Sequence, residues 1–390
     1  MTSVILVDGR MRCFANNHVN QYLTTQDGHP TGAIYGCLNS MISLHNRLPE
    51  AAIVWVWDGR GETWRHKFMS TLPQLDAKDF KDDESEEYSN DLVTMGNQWM
   101  AAQLDYMKIA DSAFEKHGVD ILKPKKEKKF GYKANRARPE LEKKKKKPKY
   151  PETPRERALL QIPILKMILE GCGIRNYEVE EVEGDDLLAM LAKTIIHLDP
   201  EAEVYIHSGD KDYYQLLQYK QVEIIKNIKD GKIQKVTASD VLQEYGVKPK
   251  NWAKYEALAG GHNNVPHISG IGSVMAKKML ENGIDPSKKE MPEQCKNYTR
   301  FFSHNPEKVW EAIHGYYKLC RLVDDPNDEV LSPDVRKRLA PIFSHFDHVK
   351  RFYRSSKGKT PEAFRKVSFS LTRWEMASIL ARRQELWEIP

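Results

Sequence analysis

Residues 4–9 read VILVDG, four apolar side chains followed by a carboxylate and a glycine. The same design recurs at residues 52–59, AIVWVWDG, which carries Asp58, and at residues 203–212, EVYIHSGDKD, which ends at Asp210 and Asp212. Short apolar runs rich in β-branched residues suit strands buried on both faces. The helical periodicity between them, over 158–172 and 185–197, predicts an α/β fold with a mostly parallel sheet covered by helices on each side. In open α/β sheets the ligand crevice lies beyond the carboxyl ends of the strands. Asp8, Asp58, Asp210 and Asp212 are therefore expected to converge.

A fourth acidic group, Glu183, Asp185 and Asp186 in VEGDDLLAML, stands at a helix start. Acids in a first helical turn cap free amides and complement the helix dipole, which by itself accounts for one or two of them. Four acidic groups at equivalent chain positions exceed what capping requires. A carboxylate-rich crevice without a histidine or cysteine cluster selects hard cations with oxygen ligands, magnesium first and manganese second. Two such ions about 4 Å apart can activate a water and stabilise the leaving oxygen of a phosphodiester. The substrate expected from this chemistry is a nucleic-acid backbone.

The composition agrees. Net charge over the 390 residues is only +5, but residues 123–149 hold fourteen Lys or Arg against three Glu, which leaves the remainder net acidic. Such segregation points to a polyanion held against one basic element. Phe130 and Tyr132 sit among lysines in KFGYKANRAR, a composition that neutralises phosphates and stacks an unpaired base. Upstream, residues 76–91 hold eight acids and two lysines, as in a solvated linker, and a helical stretch follows from about 98 to 116. Further on, HISGIGSVMAKKMLENG at 267–283 reads as helix, tight Gly-x-Gly hairpin and helix. The amides around Gly270 and Gly272, with Lys277 and Lys278, would grip a phosphate without reading sequence.

Several classes are excluded. No apolar run approaches the roughly 20 residues that span a bilayer, so no membrane role is expected. The chain enters its first strand without the basic start and apolar centre of a secretory signal, which predicts a cytoplasmic protein. Five cysteines without a CxxC pair suggest neither a zinc knuckle nor a disulfide framework. No Walker-type phosphate loop is present, and the length suits two domains or one with a sizeable insertion.

Taken in order, ILVDGR, GHPTGAIYGCL (28–38), WVWDGRGETWRHKF, YKANRARPE, VEGDDLLAMLA, HSGDKDYYQLL and ISGIGSVMAKKML resemble the motifs of the 5′-nuclease or flap endonuclease family. That family includes phage exonucleases, phage ribonuclease H and the nuclease domain of bacterial DNA polymerase I. A free-standing chain of this size looks most like a phage replication nuclease, which would place it in the host cytoplasm. The resemblance implies a PIN-like catalytic domain over 1–245, interrupted by an insertion at about 69–128 and a basic helical arch at about 129–157. It implies a helical DNA-binding region over 246–390, with a helix-hairpin-helix at about 256–283.

Carried over by position, Asp8, Asp58, Glu183, Asp185 and Asp186 look like a first metal cluster, and Asp210 and Asp212 like a second. Asp185 is central to catalysis in this reading. Tyr132, Lys133 and Arg136 match the arch base, where Lys133 and Arg136 would orient the scissile phosphate. Gly270, Gly272, Lys277 and Lys278 would hold uncut duplex, in the family often with a bound potassium ion. Two magnesium ions, replaceable by manganese, are the implied cofactors, and the implied substrate is DNA with a 5′ single-stranded flap or end, or an RNA–DNA hybrid. Nothing demands more than a monomer.

Two departures stand out. Relatives pass almost directly from the equivalent of WRHK to YKANR, whereas this chain inserts about sixty residues, expected to be a surface excursion or a dock for replication proteins. The loop before the hairpin, which in the family typically reads GDxxDNIPG, is here GGHNNVPHISG. Asn263 stands where the second aspartate belongs, so the second ion should be held weakly, with Asn263 and His262 as its weak ligands or water contacts. The leading expectation is thus a metal-dependent 5′-3′ exonuclease or flap endonuclease serving DNA replication. The alternatives are a structure-specific DNA-binding protein with weakened cleavage and, less well matched, an RNA-cleaving PIN-type toxin.

Overall fold

The computed structural model describes residues 3–73, 153–229, 232–260, 268, 270–302, 305–343 and 360–389. Six strands form one sheet: β1 (Ser3–Asp8), β2 (Ala51–Val56), β3 (Arg175–Tyr177), β4 (Glu203–His207), β5 (Val222–Lys229) and β6 (Lys232–Val236). Their order is β3-β2-β1-β4-β5-β6, with β6 antiparallel to β5 and every other pairing parallel. The expected mostly parallel sheet is present, and each apolar run named from the sequence is one of its central strands. The order reverses at β1, whose neighbours β2 and β4 align Val56 with Asp8 and His207 with Val7. The loops leaving β1, β2 and β4 therefore emerge side by side.

Alternation along the strands divides the core. Val4, Leu6, Val54, Val56, Val204 and Ile206 face a cluster formed with α5 (Gly184–Leu198), the 3₁₀ helix Asp212–Gln218 and α6 (Ala238–Tyr245). Ile5, Val7, Ile53, Trp55 and Tyr205 face a second cluster. That cluster is covered by α1 (Gly9–Val19), α2 (Gly32–His45) and α4 (Pro154–Gly171), while α3 (Trp64–Met69) follows β2. A third cluster joins α7 (Trp252–Ala259), α8 (Ser273–Glu281), α9 (Thr299–Phe302) and α10 (Pro306–Cys320).

The helices after residue 246 divide between packing surfaces. Leu322, Val323 and Leu331, with Val335 and Leu339 of α11 (Pro333–Phe343), return to the first sheet face. Val367 and Leu371 of α12 (Pro361–Arg373), Ile379 of α13 (Ala377–Ala381) and Leu386 of α14 (Arg383–Glu388) join the second. Among the described residues the third cluster, from Ala253 to Cys320, forms beside the sheet core, with Phe68 and Tyr255 packed against both. Chain order carries no signal for this return, because amphipathic helices pack on whichever apolar face is open.

The expected helix-hairpin-helix is described in part, by α7, the turn Gly270–Gly272 and α8. Gly270 has φ +79°, and a Cβ there would stand 2.6 Å from the Phe301 ring, so the turn requires glycine. Ile268 and Ile271 fasten it into the third cluster. Lys278 is exposed, whereas the Lys277 ammonium lies against Gly246, the left-handed cap of α6, where a cation complements the helix end.

One buried side chain ties α4 to the first helices. Thr31, at the start of α2, makes no side-chain cap, and the amides of Ala33 and Ile34 instead donate to Gln161 Oε1 at 2.8 and 3.2 Å. Gln161 Nε2 donates to Asn17 Oδ1 and the Arg157 carbonyl. Gln161→Leu would leave those amides buried and unmatched, so a loss of about 2–3 kcal/mol in urea unfolding is expected.

Candidate active site

The four acidic groups meet at the carboxyl edge of the sheet, each positioned by a local reason. Asp8 closes β1 and caps α1, accepting from the Met11 amide at 3.0 Å through Oδ1. Its Oδ2 accepts from Ser208 Oγ at 3.0 Å and Tyr213 Oη at 3.2 Å, which ties β1 to the loop after β4. Asp58, two residues beyond β2, accepts from the Gly184 amide at 3.0 Å and from Arg10 at 3.1 Å. A Cβ on Gly184 would sit 3.1 Å from the Asp58 nitrogen, so glycine here lets α5 begin against the end of β2. Glu183 accepts from Thr63 Oγ1 at 2.5 Å and Arg65 Nη1 at 2.7 Å. Asp185, in the first turn of α5, faces the same crevice and lies 3.7 Å from Arg65 Nη1. Asp210 is exposed after β4, and its Oδ1 accepts from the Asp212 amide at 3.1 Å.

These groups feel one another. Burial and then the neighbouring Asp58 push the Asp8 carboxyl up to about 6. Burial raises Asp185 well above the carboxylate range against the opposing pull of Arg65, and Asp186, Glu183 and Asp212 add to the rise. Such mutual elevation marks an unrelieved concentration of negative charge. Among the described residues no three acids, histidines or cysteines close on a single point; the carboxylates ring a crevice. The donor set is all oxygen, and Arg10 on Asp58 and Arg65 on Glu183 already supply positive charge there. The residues fit hard divalent cations.

Asp186 is not where the sequence reading put it. It is wholly buried, and both of its oxygens are taken: Oδ1 accepts from Arg65 Nη2 at 2.7 Å and the Val323 amide at 2.8 Å. Oδ2 accepts from Arg65 Nη1 at 2.7 Å and Trp64 Nε1 at 2.8 Å. Four donors thus occupy the two oxygens.

One acid escaped the sequence reading. Glu256 of α7 is 4% exposed, and its carboxyl is raised to about 9 by burial first, then by Asp212 and Asp210. It adds a carboxylate to the side of the second cluster. Arg65 was visible in WRHK without a role, and only its partners give it one. Tyr132, Lys133, Arg136, His262 and Asn263, with the acidic insertion and the stretch at 98–116, lie outside the described residues.

A family model described as the 5′-3′ exonuclease N-terminal resolvase-like domain matches residues 105–246. The 5′-3′ exonuclease of Aquifex aeolicus is 30% identical over 337 residues, covering 86% of this chain and 87% of its own. The chain belongs to the 5′-3′ exonuclease family. The thermostable DNA polymerase I of Thermus aquaticus is 28% identical over 280 residues, covering 71% of this chain, which spans 24% of that polymerase's length. A crystal structure of the bacteriophage T5 flap endonuclease with DNA and metal ions superposes with a TM-score of 0.51 at 14% identity, covering 88% of this chain and 98% of its own. At that identity the likeness is one of fold, and it is the PIN-like fold of 5′ nucleases. Among the described residues of this family member, no helix is long and apolar enough to cross a membrane.

Glu256 gives a signed pH dependence. A carboxyl whose folded pKa lies above its usual 4.5 contributes most stability below that value and loses it as pH rises toward about 9. In metal-free protein Glu256→Gln should therefore raise the melting temperature over wild type by a margin that widens from pH 5 to pH 8.5. A margin constant with pH would remove the group from the acidic crevice.

Proposed function

We propose that this member of the family is a divalent-metal-dependent, structure-specific 5′ nuclease that hydrolyses phosphodiesters at 5′ flaps, nicks or primer ends during DNA replication. The observation that carries the reading is the gathering of Asp8, Asp58, Glu183, Asp185 and Asp212 at one sheet edge, with Asp8 and Asp185 raised by their neighbours. Clustered like charges cost stability and serve no packing purpose, which favours an enzyme over a binding protein.

Asp8, Asp58, Glu183 and Asp185 would hold the first ion, and Asp210 and Asp212 the second, with magnesium the physiological choice and manganese a substitute. When bound, such ions lower the pKa of a water and offset charge on the phosphate oxygens. The protein's own part is orientation. Ser208, Tyr213, Gly184, Thr63 and Arg65 fix three carboxylates, Asp8, Asp58 and Glu183, by hydrogen bonds, so that little reorganisation accompanies reaction. Asn263 offers a neutral oxygen where relatives carry a carboxylate, and His262 a weak contact, so the second ion is the weaker one.

Lys133 and Arg136 would hold the scissile phosphate, with Tyr132 stacking an unpaired base. The Gly270–Gly272 turn and Lys278 would grip uncut duplex, with potassium at the hairpin. Exposed Val274, beside that turn, suits van der Waals contact with sugar and backbone. RNA annealed to DNA presents the same backbone and belongs to the substrate range. The insertion at about 69–128 is assigned to docking of replication proteins, and the chain to a monomer working in the cytoplasm.

The test is single-turnover cleavage of a labelled flap duplex. Asp185→Asn and Asp58→Asn should each slow cleavage by about 10³-fold or more, with DNA affinity within about threefold of wild type. Near-normal turnover in either variant would end the metal assignment. Lys133→Ala should slow the chemical step by about 10²-fold. An unchanged rate would remove the arch from phosphate positioning.

A further inference from the structure

Arg65 spends every N–H it has inside the protein. Nε donates to the Leu319 carbonyl at 2.9 Å, and Nη2 to the Arg321 carbonyl at 2.8 Å and Asp186 Oδ1 at 2.7 Å. Nη1 donates to Asp186 Oδ2 and Glu183 Oε2, both at 2.7 Å. The guanidinium has no donor left for a phosphate. It joins three parts of the chain: α3, the start of α5, and the segment 319–323 that leaves α10.

The same segment meets the second acidic cluster. Gln215, on the 3₁₀ helix that opens with Asp212, donates to the Cys320 carbonyl at 2.9 Å and accepts from the Leu322 amide at 3.1 Å. The Val323 amide donates to Asp186. The stretch 319–323 is thus a strut whose backbone fixes Arg65 on one side and the Asp212 helix on the other. Its upstream end is α10, which packs on α7 in the cluster that carries the Gly270–Gly272 turn.

We propose that Asp186 and Arg65 are a positioning pair, not a metal ligand and a phosphate binder. Asp186 holds the guanidinium in one plane, Arg65 holds Glu183 Oε2, and the strut 319–323 locks both. The remaining lone pairs of Glu183 then face the crevice in a fixed direction. This rests on the nuclease reading for what Glu183 does once fixed, and the strut links the helical cluster to that carboxylate. A direct ligand at position 186 would instead require at least one of the four donors to release an Asp186 oxygen.

The experiment measures Mn2+ binding to the full-length protein without DNA, by electron paramagnetic resonance of the free ion, with flap cleavage in parallel. The variants are Arg65→Lys, Asp186→Asn, their combination, and Asp185→Asn as the ligand control. Arg65→Lys keeps the charge and loses the fork, so it should weaken the tighter Mn2+ site about 10-fold and lower kcat with little change in KM for DNA. The double variant should cost no more than the worse single one, because the two residues act as a unit. If Asp186 were a ligand, Arg65→Lys would leave Mn2+ affinity unchanged or tighter, and the losses would add.

Should Arg65→Lys or Asp186→Asn fail to fold, Trp64→Phe removes the indole donor to Asp186 and keeps an aromatic ring beside the Arg65 guanidinium. It should weaken Mn2+ by about twofold to fivefold; unchanged affinity would overturn the pair. Wild type that binds Mn2+ and cleaves, with Asp185→Asn that does neither and Arg65→Lys that matches wild type, defeats the positioning pair alone. Wild type that neither binds Mn2+ nor cleaves defeats the nuclease reading and the pair with it.

Discussion

Like charges brought to one edge of a sheet repel, and the rest of this structure is arranged around holding them there. Asp8, Asp58, Glu183 and Asp185 reach the same crevice from three different loops, and none can retreat. The strands behind them are buried on both faces, with Val4 to Val7 and Ala51 to Trp57 at most 2% exposed. Three of the carboxylates are also tied by a donor from a neighbouring element: Ser208 for Asp8, Gly184 for Asp58 and Arg65 for Glu183. A rigid sheet with anchored acids keeps its electrostatic stress until a multivalent cation relieves it. Here stability and chemistry share one cause.

The second organising feature is the return of the chain after α10. Residues 319–323 pass beneath both acidic groups, contacting Arg65 and Asp186 on one side and Gln215 on the other. Beyond them α11 covers one sheet face, and α12 to α14 cover the other. The helical cluster with the glycine hairpin is therefore flanked in sequence by segments of the sheet core. A motion of that cluster on meeting duplex would be passed to α5 through one extended stretch, not through a flexible linker.

The strands and their terminal acids were legible because alternation and length are local signals, and the crevice rule places such termini together whatever the loops do. The burial of Asp186 was not legible because it differs from Asp185 by one step along a helix. That step turns a side chain about 100°, here from the crevice into the core toward Trp64 and Arg65. Glu256 was missed because KYEALA has the look of a solvated helical face. Its helix packs against α8, α10 and the 3₁₀ helix, which no local pattern reveals. The packing of the last helices was illegible for a related reason: motifs mark where a region begins, and nothing in α11 or α12 says which surface it will cover.

The most direct test of the crevice as a cation site is anomalous diffraction from crystals of the wild-type protein equilibrated with manganese. The expected map has an ion contacting Asp8, Asp58, Glu183 and Asp185, a weaker one beside Asp210 and Asp212, and Asp186 still closed on Arg65. A crevice without an ion at millimolar manganese would contradict the account.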